Sequence, residues 1–278
     1  MMNRPSGPVP AAYDYRVLAD GLDHPEGVCW DPRRRVLWCG GEAGQVYSVD
    51  LEGRVRVVAT IDRGALLGVA LDGNGRLYLC DPGNHRVWRL EPETGEYEAF
   101  GDEIDFPNYG VFAPDGTYYV SDSGDLFEPT GSIYSVSPSG VTRREDVAPI
   151  GYANGLCVDE EALYWVASTD PAVWRRRWGA DVPELVVTLH QCTPDGLALD
   201  EHGALYISCY QPNQLWRFVG GKLDLLFDDW SGEFVMAPTN IAFYGDDWDR
   251  VALASLGGQR LITLDLGVRG RPVEGPKI

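Results

Sequence analysis

The chain lacks helical patterning. No long stretch keeps apolar residues at i, i+3, i+4 and i+7, so the sequence argues against a helix-rich fold. Basic residues are scarce: 23 Lys and Arg stand against 42 Asp and Glu, a formal net charge of −19. A phosphate backbone is bound through protein cations, so this balance argues against nucleic acid and disfavours an anionic membrane surface. No run approaches 18 consecutive apolar residues, and Met1 to Ala12 is Pro-rich and polar, without an apolar core. The sequence therefore predicts no membrane helix and no secretory leader, and a cytoplasmic location is expected.

Metal and nucleophile motifs of the familiar kinds are missing too. Cys29, Cys39, Cys80, Cys157, Cys192 and Cys209 form no Cys-x-x-Cys. Most sit inside apolar strand-like runs and read as buried free thiols in a reducing compartment. His24, His85, His190 and His202 are the only histidines, and no pair has zinc spacing. There is no Gly-x-Ser-x-Gly elbow, and Gly220-Gly221 and Gly257-Gly258 read as hairpin turns, not phosphate loops.

What the chain has in quantity is glycine, 33 residues, and aromatics, with 9 Trp, 14 Tyr and 8 Phe. That mixture suits many short strands joined by tight turns. Six short apolar strands open on a Gly or Asn, at Gly27, Gly68, Gly110, Gly155, Gly196 and Asn240, with spacings of 41, 42, 45, 41 and 44 residues. A period of about 40–50 residues with four strands per repeat is that of a β-propeller. Blade one is the clearest: Val28–Trp30, Val36–Cys39, Gln45–Asp50 and Val55–Ala59. Asp122 to Thr130 is longer than its counterparts and reads as an inserted loop. The sixth repeat has no good fourth strand, because Gly267 to Ile278 is rich in Gly and Pro. Tyr15 to Ala19 has no blade of its own and can supply that strand, closing the ring and removing an open edge. The expectation is an all-β, six-bladed propeller in one domain, 13–278, behind a flexible tail, 1–12.

Equivalent positions of successive blades lie on one ring around the axis. The residues just before the six openings are Glu26, Leu67, Tyr109, Asn154, Asp195 and Thr239. Singly, Pro-Glu-Gly, Asn-Gly and Asp-Gly are ordinary turns. In common register, Glu26, Asn154 and Asp195 aim two carboxylates and an amide oxygen at one mouth of the channel, which suits a hard cation. Leu67 shows that the position does not itself demand polarity. Asn108, one residue early, either caps a turn or faces the metal or substrate. Asp122 is a loop residue or a substrate contact, and His24 either stays at the surface or reaches the cleft.

In these motifs the chain resembles the SMP-30/gluconolactonase/luciferin-regenerating-like family, from about Pro25 to Leu266. The family's metal-binding Glu matches Glu26 in Pro-Glu-Gly, and its Asn matches Asn154 in Asn-Gly-Leu. Its metal-binding Asp, also proposed as catalytic base, matches Asp195 in Pro-Asp-Gly-Leu, and a second Asn matches Asn108. The resemblance implies a six-bladed propeller with one divalent metal that hydrolyses a lactone, a small-molecule substrate. Oxygen-only ligands favour Ca²⁺, with Zn²⁺, Mg²⁺ and Mn²⁺ as the other candidates. A monomer or weak oligomer is expected. Two departures stand out: the family's Asn-Asp-Gly reads Asn108-Tyr109-Gly110, and an Arg of the sugar lactonases is replaced by Phe106. Both make the cleft less polar, so Phe106, Tyr109, Asn108, Asp122 and His24 are the expected substrate contacts. Two other readings stay open. One is a condensing or cyclising enzyme like the strictosidine synthases, and the other is a non-enzymatic propeller binding module.

Overall fold

The computed structural model describes residues 15–273 and 275–278. The flexible tail expected over 1–12 lies outside the described residues. Among those described there is no helix. The described residues form twenty-four strands in six four-stranded antiparallel sheets. After β1 (Tyr15–Asp20), blade one is β2 (Val28–Asp31), β3 (Val36–Gly40), β4 (Gln45–Asp50) and β5 (Val55–Thr60). Blade two is β6 (Val69–Leu71), β7 (Leu77–Asp81), β8 (Arg86–Leu90) and β9 (Tyr97–Ala99). Blade three is β10 (Pro107–Phe112), β11 (Tyr118–Asp122), β12 (Ser132–Val136) and β13 (Thr142–Arg144). Blade four is β14 (Ala153–Val158), β15 (Ala162–Ala167), β16 (Ala172–Arg177) and β17 (Glu184–Thr188). Blade five is β18 (Thr193–Leu199), β19 (Leu205–Gln211), β20 (Gln214–Val219) and β21 (Lys222–Asp228). Blade six is β22 (Pro238–Tyr244), β23 (Arg250–Ser255) and β24 (Arg260–Leu264), completed on its outer side by β1.

The fold is thus a six-bladed β-propeller closed by an N-terminal strand. Tyr15 pairs with Leu264 and Asp20 with Arg260, so blade six is built from both ends of the chain. The core lies between blades, where Leu37, Leu79, Val120, Val166, Ile207 and Leu253 of the second strands are fully buried. At the turns after the inner strands of blades one, two and five a buried Asp, Asp31, Asp72 or Asp200, caps the backbone. Asp72 accepts from the amides of Asn74 (2.8 Å) and Arg76 (2.9 Å), and Asp200 from those of His202 (2.9 Å) and Ala204 (2.8 Å). A tyrosine of the second strand donates to the same carboxylate, Tyr78 to Asp72 and Tyr206 to Asp200. These acids hold turns and leave no free charge for chemistry.

The repeating glycine has a steric cause. Neighbouring inner strands come so close that a Cβ on Gly27 would lie 2.2 Å from the Leu67 carbonyl oxygen, and one on Gly155 would lie 2.3 Å from that of Asp195. Gly155→Ala must push blade four away from Asp195. Overpacking of this kind costs about 1–3 kcal/mol, so a Tm several degrees lower is expected by calorimetry. An unchanged Tm would mean that the blades yield at this point.

Four inner strands begin earlier than their apolar runs suggest. β10, β14, β18 and β22 already include the register residues, and each carries a register shift there, between Pro107 and Gly110, Ala153 and Leu156, Pro194 and Leu197, and Pro238 and Ile241. A β-bulge bends the strand and re-aims a side chain. The bulge is what frees Asn108, Asn154 and Asp195 from simple alternation.

Candidate metal centre

Glu26, Asn108, Asn154 and Asp195 are all buried, at 6%, 1%, 3% and 5% exposure. Each keeps one buried oxygen without a hydrogen-bond partner: Glu26 Oε2, Asn108 Oδ1, Asn154 Oδ1 and Asp195 Oδ1. Buried polar atoms are almost always satisfied, because an unmade hydrogen bond costs about 1–3 kcal/mol. Glu26, Asn108, Asn154 and Asp195 are thus each left with an oxygen whose acceptor capacity is unused within the described residues.

Two serines fix which way the amides point. Asn108 donates through Nδ2 to Ser123 Oγ (3.0 Å), and Ser123 donates its single hydroxyl proton to the Ala153 carbonyl (2.8 Å). Asn154 donates to Ser168 Oγ (3.3 Å), and Ser168 donates to the Pro194 carbonyl (2.7 Å). A hydroxyl whose proton is already committed can only accept. Each amide nitrogen is therefore held against its serine, and each Oδ1 is turned free. The carbonyls that receive the serine protons belong to the next blade, so ligand orientation is tied to blade packing.

Glu26 and Asp195 are electrostatic neighbours although far apart in sequence. Burial, reinforced by the Asp195 charge, raises Glu26 well above the carboxylate range. Burial pushes Asp195 up to about 7, against the opposing pull of the Asn154 amide. Two buried carboxyls side by side cannot both ionise without a compensating cation. The Glu26 carbonyl is also anchored, accepting from Thr239 Oγ1 at 2.8 Å and from the Asn240 amide at 3.3 Å. Among the described residues no three His, Cys, Asp or Glu side chains gather at one point, since two of these four are amides. Two carboxylates with two amide oxygens, and no nitrogen or sulfur donor, fit a hard divalent cation.

The expected substrate contacts fall into different places. Phe106 is half-buried, and its ring centroid lies 6.2 Å from that of Tyr152. Tyr152 escaped the sequence reading. It sits two residues before Asn154 with φ of 54°, a left-handed conformation uncommon for such a bulky residue. Its phenol is pushed up to about 12 by burial and by the charges of Glu26 and Asp195. Phe106 and Tyr152 thus form an aromatic pair, with the Tyr152 phenol in electrostatic reach of Glu26 and Asp195. Asp122 and His24, expected as substrate contacts, have partners within the chain. Asp122 Oδ1 accepts from the amides of Phe106 (3.1 Å) and Gly124 (3.2 Å), so it holds the loop that carries Phe106. His24 Nδ1 is engaged by the half-buried Asp23 at 3.0 Å and the exposed Glu42 at 3.1 Å. Tyr109 was expected at the rim of the cleft. It is buried in the channel wall instead, lining a cavity that none of the four oxygen-bearing residues lines.

The sequence profile of the SMP-30/gluconolactonase/LRE-like region matches residues 24–257. The chain belongs to this family. Solved structures agree on the fold. Regucalcin from Agrobacterium tumefaciens, a calcium-binding protein, superposes with a TM-score of 0.82 at 19% identity, covering 96% of this chain and 98% of that one. A gluconolactonase from Xanthomonas campestris gives 0.78 at 21% identity, covering 92% and 90%. A luciferin-regenerating enzyme gives 0.80 at 18% identity, covering 96% and 100%. No curated protein matches the sequence significantly.

Proposed function

We propose that the protein is a divalent-cation-dependent hydrolase that opens a lactone or related ester. The observation that carries this reading is the set of four buried, unpartnered oxygens on Glu26, Asn108, Asn154 and Asp195. Membership of a family with gluconolactonases supports the reaction class, and the calcium-binding relative supports Ca²⁺ as the cation. When bound, the cation supplies Lewis-acid polarisation of the carbonyl and lowers the pKa of a water. Glu26 and Asp195 supply its negative ligands, and Asn108 and Asn154 its neutral ones. Asp195 is also the general base. It takes a proton from the water that adds to the carbonyl carbon, then returns it to the ring oxygen as the ring C–O bond breaks, giving a hydroxy acid. Asn108, pinned by Ser123, orients the substrate.

The substrate is apolar or aromatic rather than a polyhydroxylated sugar lactone. Phe106 and Tyr152 offer ring faces and few hydrogen bonds, and each well-buried apolar group gains about 1–3 kcal/mol. An aryl or alkyl lactone should show a higher kcat/KM than gluconolactone, and Phe106→Arg should shift the ratio towards gluconolactone. Turnover should stop with chelator, and ¹⁸O from labelled water should enter the carboxylate. A condensing or cyclising reaction predicts product without label. A binding module predicts no turnover of any lactone.

A further inference from the structure

The far end of the channel is chemically unlike the oxygen ring. There the inner strands enclose a cavity of about 280 Å³. Its wall includes the residue two places after each Gly or Asn strand opening: Cys29, Ala70, Phe112, Cys157, Ala198 and Ala242. Only Phe112 is large, and the small side chains in this layer are what leave the space. None of Glu26, Asn108, Asn154 and Asp195 lines it.

The C-terminal segment, read from sequence only as lacking a strand, closes this end. Gly270 bridges to Asp200, and the Arg271 amide donates to the Leu199 carbonyl (2.9 Å), both in blade five. Further on, the Pro276 carbonyl accepts from the Gly73 amide (2.7 Å) and the Ile278 carbonyl from Asn74 Nδ2 (2.7 Å), both in blade two. Blades two and five stand opposite one another in a six-blade ring, so the segment crosses the channel. Arg271, Pro272, Val273, Gly275 and Pro276 form the floor.

Charge at this end is already matched. Arg271 pairs with Glu160, and Asp159 accepts from the Ala162 amide (2.8 Å) and from the Tyr164 hydroxyl (2.9 Å). An ionic ligand would find no counter-charge in an apolar surround, which is costly. One polar group differs. Tyr109 is 8% exposed and lines this cavity, and no hydrogen bond to its hydroxyl is found among the described residues. A phenol hydroxyl offers one hydrogen-bond donor.

We propose that this cavity is a second small-molecule site, separate from the oxygen ring. Its ligand is an uncharged, mainly apolar molecule with one acceptor oxygen, a ketone or ester, to which Tyr109 donates. The volume sits near the lower end of the range for ligand pockets, about 300–1,000 Å³, which suits a fused bicyclic or terpenoid-sized molecule.

The probe is 6-propionyl-2-dimethylaminonaphthalene, an uncharged fluorescent ketone. Expected is saturable one-to-one binding with blue-shifted emission, equally with Ca²⁺ and with chelator. Filling the cavity with Ala198→Phe/Ala242→Phe should weaken binding at least about tenfold, and Ala70→Leu serves if the double variant does not fold. Tyr109→Phe should weaken it about three- to tenfold and shift emission further to the blue, by losing one hydrogen bond. Absence of saturable binding overturns the proposal. So does an affinity unchanged by filling, which would place the dye on exposed side chains such as Phe127 or Trp230.

Discussion

Asp195→Asn should lower kcat/KM for the best lactone by about a hundred- to ten-thousand-fold, the usual contribution of a positioned general base. The substitution is nearly isosteric and keeps an oxygen at the same place, so a cation can still be held, though more weakly. What is lost is the proton acceptor. The same change should stabilise the cation-free protein. Burial pushes Asp195 up to about 7, and its charge also raises Glu26, so ionising both carboxyls works against folding. A neutral amide removes that opposition. In chelator at pH 8 the variant should therefore melt higher than wild type while turning over far more slowly. A residue with a purely structural role would lose stability and activity together. Retained turnover in Asp195→Asn would end the general-base assignment. A lower Tm in chelator would mean that the two carboxylates do not oppose each other.

The fold was legible because its signals are local and repeated. Gly27, Gly68, Gly155 and Gly196 mark the same close approach in four blades, and each meets the backbone of the next inner strand. The closing strand was legible by elimination, since Tyr15 to Ala19 had no partner of its own and β24 lacked one. Glu26, Asn154 and Asp195 were legible through register, and Asn108, one residue early, through the family resemblance. Their orientation was not. It depends on bulges in β10, β14 and β18 and on Ser123 and Ser168, whose partners are carbonyls of the next blade. The faint signal available was a serine after the second strand, fifteen residues past Asn108 and fourteen past Asn154. Tyr152 had no such signal. Its importance comes from standing against Phe106 and within electrostatic reach of Glu26 and Asp195, none of which is near it in sequence. Tyr109 was misplaced because strand alternation alone does not say at which depth of the channel a side chain lies.

Stabilisation by Ca²⁺ should depend strongly on pH. In the cation-free protein Asp195 holds its proton up to about 7, against an ordinary value of 3.8, and Glu26 is raised in the same sense. A carboxyl whose folded pKa lies above its unfolded one makes the folded state the tighter proton binder. Stability of the chelated protein therefore falls as pH climbs from about 4 towards and beyond 7, and is restored on acidification. Protons and cation compete for the same oxygens, so cation affinity rises over that same interval. At pH 5 added Ca²⁺ should barely move the Tm. At pH 8 a concentration one hundred times Kd contributes about 2.7 kcal/mol. For a chain of this size that corresponds to a shift on the order of 5 °C. Glu26→Gln/Asp195→Asn should flatten the pH dependence, because neither replacement titrates. Melting curves at pH 5 and 8, with Ca²⁺ and with chelator, decide the matter. A Ca²⁺ shift of equal size at both pH values would place the cation on exposed carboxylates of this acidic surface, which are ionised at either pH, and away from the buried oxygens.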